Sequence, residues 1–145
     1  MIVENRRARF EYHILESLEA GLVLTGTEVK SMRAGGVSLS EAYARFRDGE
    51  AWLLGMHIPP YKQGSFSNAE PNRPRKLLLH KEEIARLQSR VGEKGLTIVP
   101  LRLYFTRGIA KVQLGVARGK KLWDKRADAA KRDVEREIAA HVRRS

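Results

Sequence analysis

The stretch ARFRDGEAWLL, residues 44–54, decides how the rest of the chain is read. Asp48-Gly49 stands between two segments in which apolar and polar residues alternate. A two-residue hairpin turn of the primed kind needs positive φ at its central positions, and Asp-Gly adopts it readily. The register follows. Phe46 faces Ala51, Ala44 faces Leu53, and Arg47 meets Glu50 beside the turn as an opposite-charge pair. Turn chemistry and cross-strand pairing therefore agree on one antiparallel hairpin.

Working outward, the same grammar recurs. Leu96–Phe105 and Ile109–Val116 form a second hairpin around Thr106-Arg107-Gly108, with Leu101, Leu103 and Phe105 on one face. Ala110, Val112 and Leu114 share the corresponding face of its partner. Upstream, residues 10–14 alternate as a strand, and Glu19 precedes a turn at Ala20-Gly21 that leads into a short strand, Leu22-Val23-Leu24. Thr27 is expected to cap a helix over Glu28–Ala34, ended by Gly35-Gly36. Residues 59–76 read as a long exposed loop carrying Lys62, Arg73, Arg75 and Lys76. Leu77-Leu78-Leu79 make a short strand. Residues 81–91 make a helix with Ile84, Leu87 and Val91 on one face. The expected fold is mainly β: a small antiparallel OB-like barrel of about six strands with two to three helices and a basic C-terminal tail. The barrel is assigned to residues 1–118 and the tail to 119–145.

The tail has its own pattern. Beyond Lys120 there is no Pro or Gly, and Trp123, Ala127, Ala130, Val134, Ile138 and Val142 recur at helical spacing. From Arg118 onward ten basic residues face five acidic ones. Two alanines in a narrow stripe give little reason to dock on the core. Alone in water such a helix is only partly populated.

Composition narrows the function. The 145-residue chain has a net charge of +11, which favours a polyanionic partner, most often nucleic acid. Its basic residues fall into three clusters. The first is Arg6, Arg7 and Arg9; the second is Lys62, Arg73, Arg75 and Lys76; the third is Arg118, Lys120, Lys121, Lys125 and Arg126, continued by Lys131 and Arg132. Such clusters bind phosphate without reading sequence. Tyr12, Tyr43, Tyr61 and Trp123 offer rings for unpaired bases. There is no Cys, so thiol catalysis and zinc-thiolate sites are excluded. The four histidines lack metal-ligand spacing, and no GxSxG or phosphate-loop motif is present. The reading is a protein without catalysis, cofactor or metal. No membrane-length apolar run and no secretory leader pattern occur, so a cytoplasmic protein is expected.

Two carboxylates stand in basic surroundings. Glu28 is read as pairing with Lys30 or Arg33 across a helix turn. Glu19 is either a solvated turn acid or an acceptor for a base amino group or ribose hydroxyl, which phosphate-binding residues cannot read.

At this point the blocks NRRARFEYHI (5–14), LTGTEVKSMRAG (24–35), DGEAWLLGMHIPPY (48–61), RKLLLHKEEI (75–84), GLTIVPLRLYF (95–105) and KVQLGVARGKKLWDKR (111–126) can be taken together. In combination they resemble the SsrA-binding protein family, small protein B. The resemblance implies a barrel that binds the tRNA-like domain of transfer-messenger RNA (tmRNA) and delivers it to stalled ribosomes in trans-translation. It implies RNA contacts at Asn5, Arg6, Arg7, Glu19, Leu78 and Lys111, to which charge adds Arg9, Lys30, Arg33, Arg75 and Lys76. It implies a tail, with Gly119, Lys120, Lys121, Asp124, Lys125 and Arg126, that becomes helical in the empty mRNA channel near the decoding centre of the 30S subunit. Alanyl-tRNA synthetase and elongation factor Tu are implied partners through the same RNA. Trp123 stands where relatives usually hold Tyr or His, which keeps a planar ring but loses a titratable one. The alternative function is a structural ribosomal protein bound to rRNA.

Overall fold

The computed structural model describes residues 2–62, 68–92 and 95–120. The elements follow as β1 (Ile2–Glu4), α1 (Arg6–Glu11), β2 (Tyr12–Leu22), α2 (Gly26–Ala34), β3 (Tyr43–Arg47), β4 (Glu50–Leu54), β5 (Arg75–Leu78), α3 (Lys81–Val91), β6 (Leu96–Thr106) and β7 (Ile109–Gly119). The strands form one antiparallel sheet in the order β1-β6-β7-β2-β5-β4-β3.

The β3–β4 hairpin forms in the expected register, with Asp48 at φ 53° and Gly49 at φ 76°. Its charge pair does not form. Glu50 accepts instead from Lys76 on β5 at 3.1 Å, because Lys76 is cross-strand neighbour to Trp52 on the same sheet. The β6–β7 hairpin turns at Arg107-Gly108, both at positive φ.

The sheet curls until β3 lies against β6, which gives the OB-like shape. The ladder of hydrogen bonds stays open, whereas closure was expected. The free edge of β6 is already taken: β1 pairs with residues Arg102–Tyr104, and the Asn5 amide donates to the Leu101 carbonyl at 2.8 Å. Ile98, Leu103, Val112, Leu114 and Val116 meet Leu53 and Leu77 in the core, and Met32 of α2 and Leu87 of α3 complete it.

Four departures from the expected elements stand out. The N-terminal segment is a short strand followed by α1, and the alternating strand begins at Tyr12 rather than at residue 10. No turn interrupts it at Ala20-Gly21; β2 runs on to Leu22, and Val23-Leu24 lie beyond its end. The helix cap is Thr25, in a capping box with Glu28, rather than Thr27. A bulge between Pro100 and Arg102 turns Leu101 away from Leu103. Leu101 then packs on the outer face of the sheet with Ala8, Val99 and Ala117. The outer face thus has a half covered by α1 and a half left bare.

Candidate nucleic-acid interface

The bare half is built by register. Gly21 on β2 is the cross-strand neighbour of Leu78 on β5 and of Lys111 on β7, and Lys111 is that of Tyr104 on β6. One row therefore runs Leu78, Gly21, Lys111, Tyr104. The next row runs Glu19, Gln113, Arg102 and Glu4. Side chains in neighbouring rows two residues apart share a face. Gly21 gives Leu78 room here: a Cβ would lie 3.2 Å from the Leu78 Cβ and push it aside by a few tenths of an ångström. Its absence lets Leu78 lie across the sheet while remaining 53% exposed. An exposed leucine beside cations is a place for a base or ribose face.

Polar groups on this face are only partly committed. The Tyr104 hydroxyl donates to Glu19 Oε2, and Lys111 Nζ lies 3.9 Å from Glu19 Oε1. The Glu19 side chain keeps 52% of its surface exposed. Gln113 donates to Ser17 Oγ at 3.3 Å. The Arg102 guanidinium sits over the Tyr104 ring, 5.2 Å from its centroid. Burial, followed by the hydrogen bond and charge of Glu19, pushes the Tyr104 phenol above its ordinary pKa.

Three of the expected contact residues, Glu19, Leu78 and Lys111, are thus gathered on one surface. The remaining ones divide. Arg6, Arg7 and Arg9 lie exposed on α1, which covers the other half of the same outer face. Arg7 is held by Glu11 at 3.0 Å and by Glu41. Lys30 rests 5.9 Å from the Tyr61 ring, and Arg33 lies 5.8 Å from the ring of Phe105, next in sequence to Tyr104. Lys76 is spent on Glu50. Arg118 is exposed opposite His13, while the Lys120 amide donates to the Glu11 carbonyl at 2.8 Å. The root of the tail therefore lies beside α1. Lys121, Trp123, Asp124, Lys125, Arg126, Lys131 and Arg132 lie outside the described residues.

Two of the expected contact residues are buried. Arg75 is not an exposed cation: it has 0% exposure. Its guanidinium donates to Glu28 at 2.8 and 2.6 Å, to the Met56 carbonyl at 2.7 Å and to the Pro71 carbonyl at 3.0 Å. Asn5 is buried too. It donates to the carbonyls of Leu39 and Pro100 and accepts from the Ala8 amide, so its side chain anchors α1.

Glu28 likewise pairs with neither Lys30 nor Arg33. It is buried and accepts from Arg73, Arg75 and the Thr25 amide. Burial alone would raise its pKa. The hydrogen bonds from Arg73, Thr25 and Arg75 outweigh that and hold the carboxyl below the ordinary carboxylate range.

Sequence reasoning missed Tyr104, Arg102, Gln113 and Ser17. A signal was present for the first two. The hairpin turn at Arg107-Gly108 fixes Tyr104 opposite Lys111, so the face that carries Lys111 also carries Tyr104.

The SmpB protein family model matches residues 2–144. The SsrA-binding protein of Desulforudis audaxviator is 59% identical over 142 residues, covering 98% of this chain and 93% of the relative. That of Carboxydothermus hydrogenoformans is 57% identical over 143 residues, covering 99% and 96%. A solved structure described as "tmRNA-SmpB: a journey to the center of the bacterial ribosome" aligns with a TM-score of 0.71 at 58% identity. It covers 83% of this chain and 85% of that one.

Proposed function

The chain belongs to the SmpB family, and on that premise we propose that it binds the tRNA-like domain of tmRNA and carries it to stalled ribosomes for trans-translation. The role is binding, without a chemical step. The observation that supports it most directly is the bare half of the outer sheet face, where Leu78, Lys111 and Glu19 converge, the arginines of α1 lying over the other half. Cations there neutralise phosphates. Leu78 offers an apolar surface, and Glu19 offers an acceptor that discriminates against plain phosphate.

The division of labour assigns RNA grip to the barrel and ribosome sensing to the basic tail. An occupied mRNA channel excludes the tail. An empty channel lined by phosphate lets it order, with the entropy of ordering offset by charge-assisted contacts. Alanyl-tRNA synthetase and elongation factor Tu meet the protein through the same RNA. The site of action is the cytoplasm, and among the described residues no helix is long and apolar enough to cross a membrane. A structural ribosomal protein is not favoured, since the relatives are SsrA-binding proteins over nearly their whole length.

Deletion of residues 119–145 tests this division. The truncated chain should bind tmRNA with affinity close to the full chain and fail to support rescue of ribosomes on a message lacking a stop codon. A large loss of tmRNA affinity on truncation would show that the tail is part of the grip.

A further inference from the structure

The bare face holds two residues whose arrangement the assigned contacts leave unused. Tyr104 Oη donates to Glu19 Oε2, while among the described residues Glu19 Oε1 has only the Lys111 ammonium at 3.9 Å. One carboxylate oxygen is therefore fixed and the other is open. A phenol is protonated at neutral pH, and burial and Glu19 raise the Tyr104 pKa further, so it remains a donor there. It cannot release Glu19 by ionising.

Arg102 lies over the Tyr104 ring. Its guanidinium lies 5.2 Å from the Tyr104 ring centroid, a cation–π contact that restrains the side chain. Its cross-strand neighbour on β1 is Glu4, yet the two make no ion pair among the described residues. Its Nε is buried without a hydrogen-bond partner. An arginine restrained by a ring, and with no carboxylate partner among the described residues, has its terminal N–H groups rather than the buried Nε to offer an anion. In a chain of net charge +11 with an RNA-binding face, that anion is a backbone phosphate.

We infer that Tyr104 is a positioning residue that holds the Glu19 carboxylate in the rotamer that receives a ribose hydroxyl or base amino group of the RNA, and that Arg102 binds the adjoining phosphate. The inference rests on the reading of this face as the tmRNA interface. A carboxylate in a phosphate-rich interface is repelled unless a cation sits beside it; Lys111 lies 3.9 Å from Glu19, and Arg102 stands in the same row one strand beyond Gln113. Holding Glu19 before binding reduces the side-chain entropy lost when RNA arrives. The pair thus converts a general cationic surface into one that accepts RNA in a single register.

The experiment measures binding of the full chain to an in vitro transcript of the tRNA-like domain by fluorescence anisotropy, across a salt series. Tyr104→Phe keeps the ring and removes only the hydroxyl. It should weaken binding about tenfold, with the salt slope unchanged. Combined with Glu19→Ala it should be no worse than Glu19→Ala alone, because the hydroxyl acts only through that carboxylate. Arg102→Gln should weaken binding and flatten the plot of log affinity against log salt by roughly 0.7 to 0.9, the contribution of one phosphate. Arg102→Lys should restore the slope. Thermal unfolding of each variant should match the parent. Effects of Tyr104→Phe and Glu19→Ala that simply add overturn the positioning role. An unchanged slope in Arg102→Gln overturns the phosphate contact. A parent chain that fails to bind the transcript overturns the interface reading itself, and a parent that binds while Glu19→Ala is neutral removes this face from it.

Discussion

Glu28 and Glu19 are two carboxylates from one short stretch of sequence, each set among basic residues, and the fold gives them opposite fates. Glu28 lies at the start of α2, buried, with Arg73 and the wholly buried Arg75 as partners. Arg75 fills its remaining donors with the carbonyls of Met56 and Pro71. The cluster ties α2 to the end of β4 and to the segment before β5. Glu19 lies on an open sheet face, half exposed, with one oxygen held by Tyr104 and one scarcely engaged. Full satisfaction makes the first group a structural tie. Incomplete satisfaction with solvent access makes the second available to a partner. Charge and neighbours in sequence do not separate the two cases; burial and the number of committed donors do.

The comparison can be broken most directly at Arg75. Arg75→Ala leaves Glu28 buried beside a single remaining arginine, and the loss should be about 3–5 kcal/mol, a large part of the stability of a domain this size. Urea unfolding measures it. A loss under about 1 kcal/mol would mean that the cluster is open to water and that Glu28 and Glu19 do not differ in kind. Glu19→Ala should do the reverse. It should lower RNA affinity about tenfold to a hundredfold, the range for a hydrogen bond to a charged group. The unfolding midpoint should stay where it was. A gain in affinity, as removal of a negative charge alone would give, sinks the recognition role.

Acid offers a graded version of the same contrast. The Glu28 carboxyl is depressed in the folded state relative to its ordinary value of 4.5. Its contribution is therefore complete above that value and is lost as pH falls below it towards the folded-state value. The slope of unfolding free energy against pH below 4.5 should be shallower in Glu28→Gln than in the parent. Equal slopes would assign the acid sensitivity to other carboxylates. The smallest effect belongs to the exposed pair of Lys76 and Glu50. Lys76→Ala should change stability by less than about 1 kcal/mol, and any fall in RNA affinity should be accompanied by a lower salt slope.

Legibility in the sequence followed the range of the signal. The β3–β4 hairpin was readable because Asp48 and Gly49 carry the positive φ themselves. The helix over residues 81–91 was readable because Ile84 and Leu87 repeat at helical spacing and both are buried. The start of β2 was misread, since FEYHI alternates whether its first residues end a helix or begin a strand. Arg75 was misread because an arginine in a Pro- and Asn-rich segment looks solvated. Its burial depends on acceptors from Glu28, Met56 and Pro71, contributed by separate parts of the chain. Leu101 was misplaced because a bulge reverses alternation without leaving a mark in the pattern.

What the sequence determined by itself was local or additive: turn chemistry, periodicity, the excess of positive charge, and the combined motifs that mark the SmpB family. Each depends on residues close together in the chain or on a sum over all of them. What only the tertiary structure decided was pairing between distant positions. Arg73 and Arg75 reach Glu28 across 45 and 47 residues, and Tyr104 reaches Glu19 across 85. A carboxylate's role depends on which donors surround it and how much water reaches it. Both are properties of the folded surface, set by strand register and by which half of the sheet α1 covers.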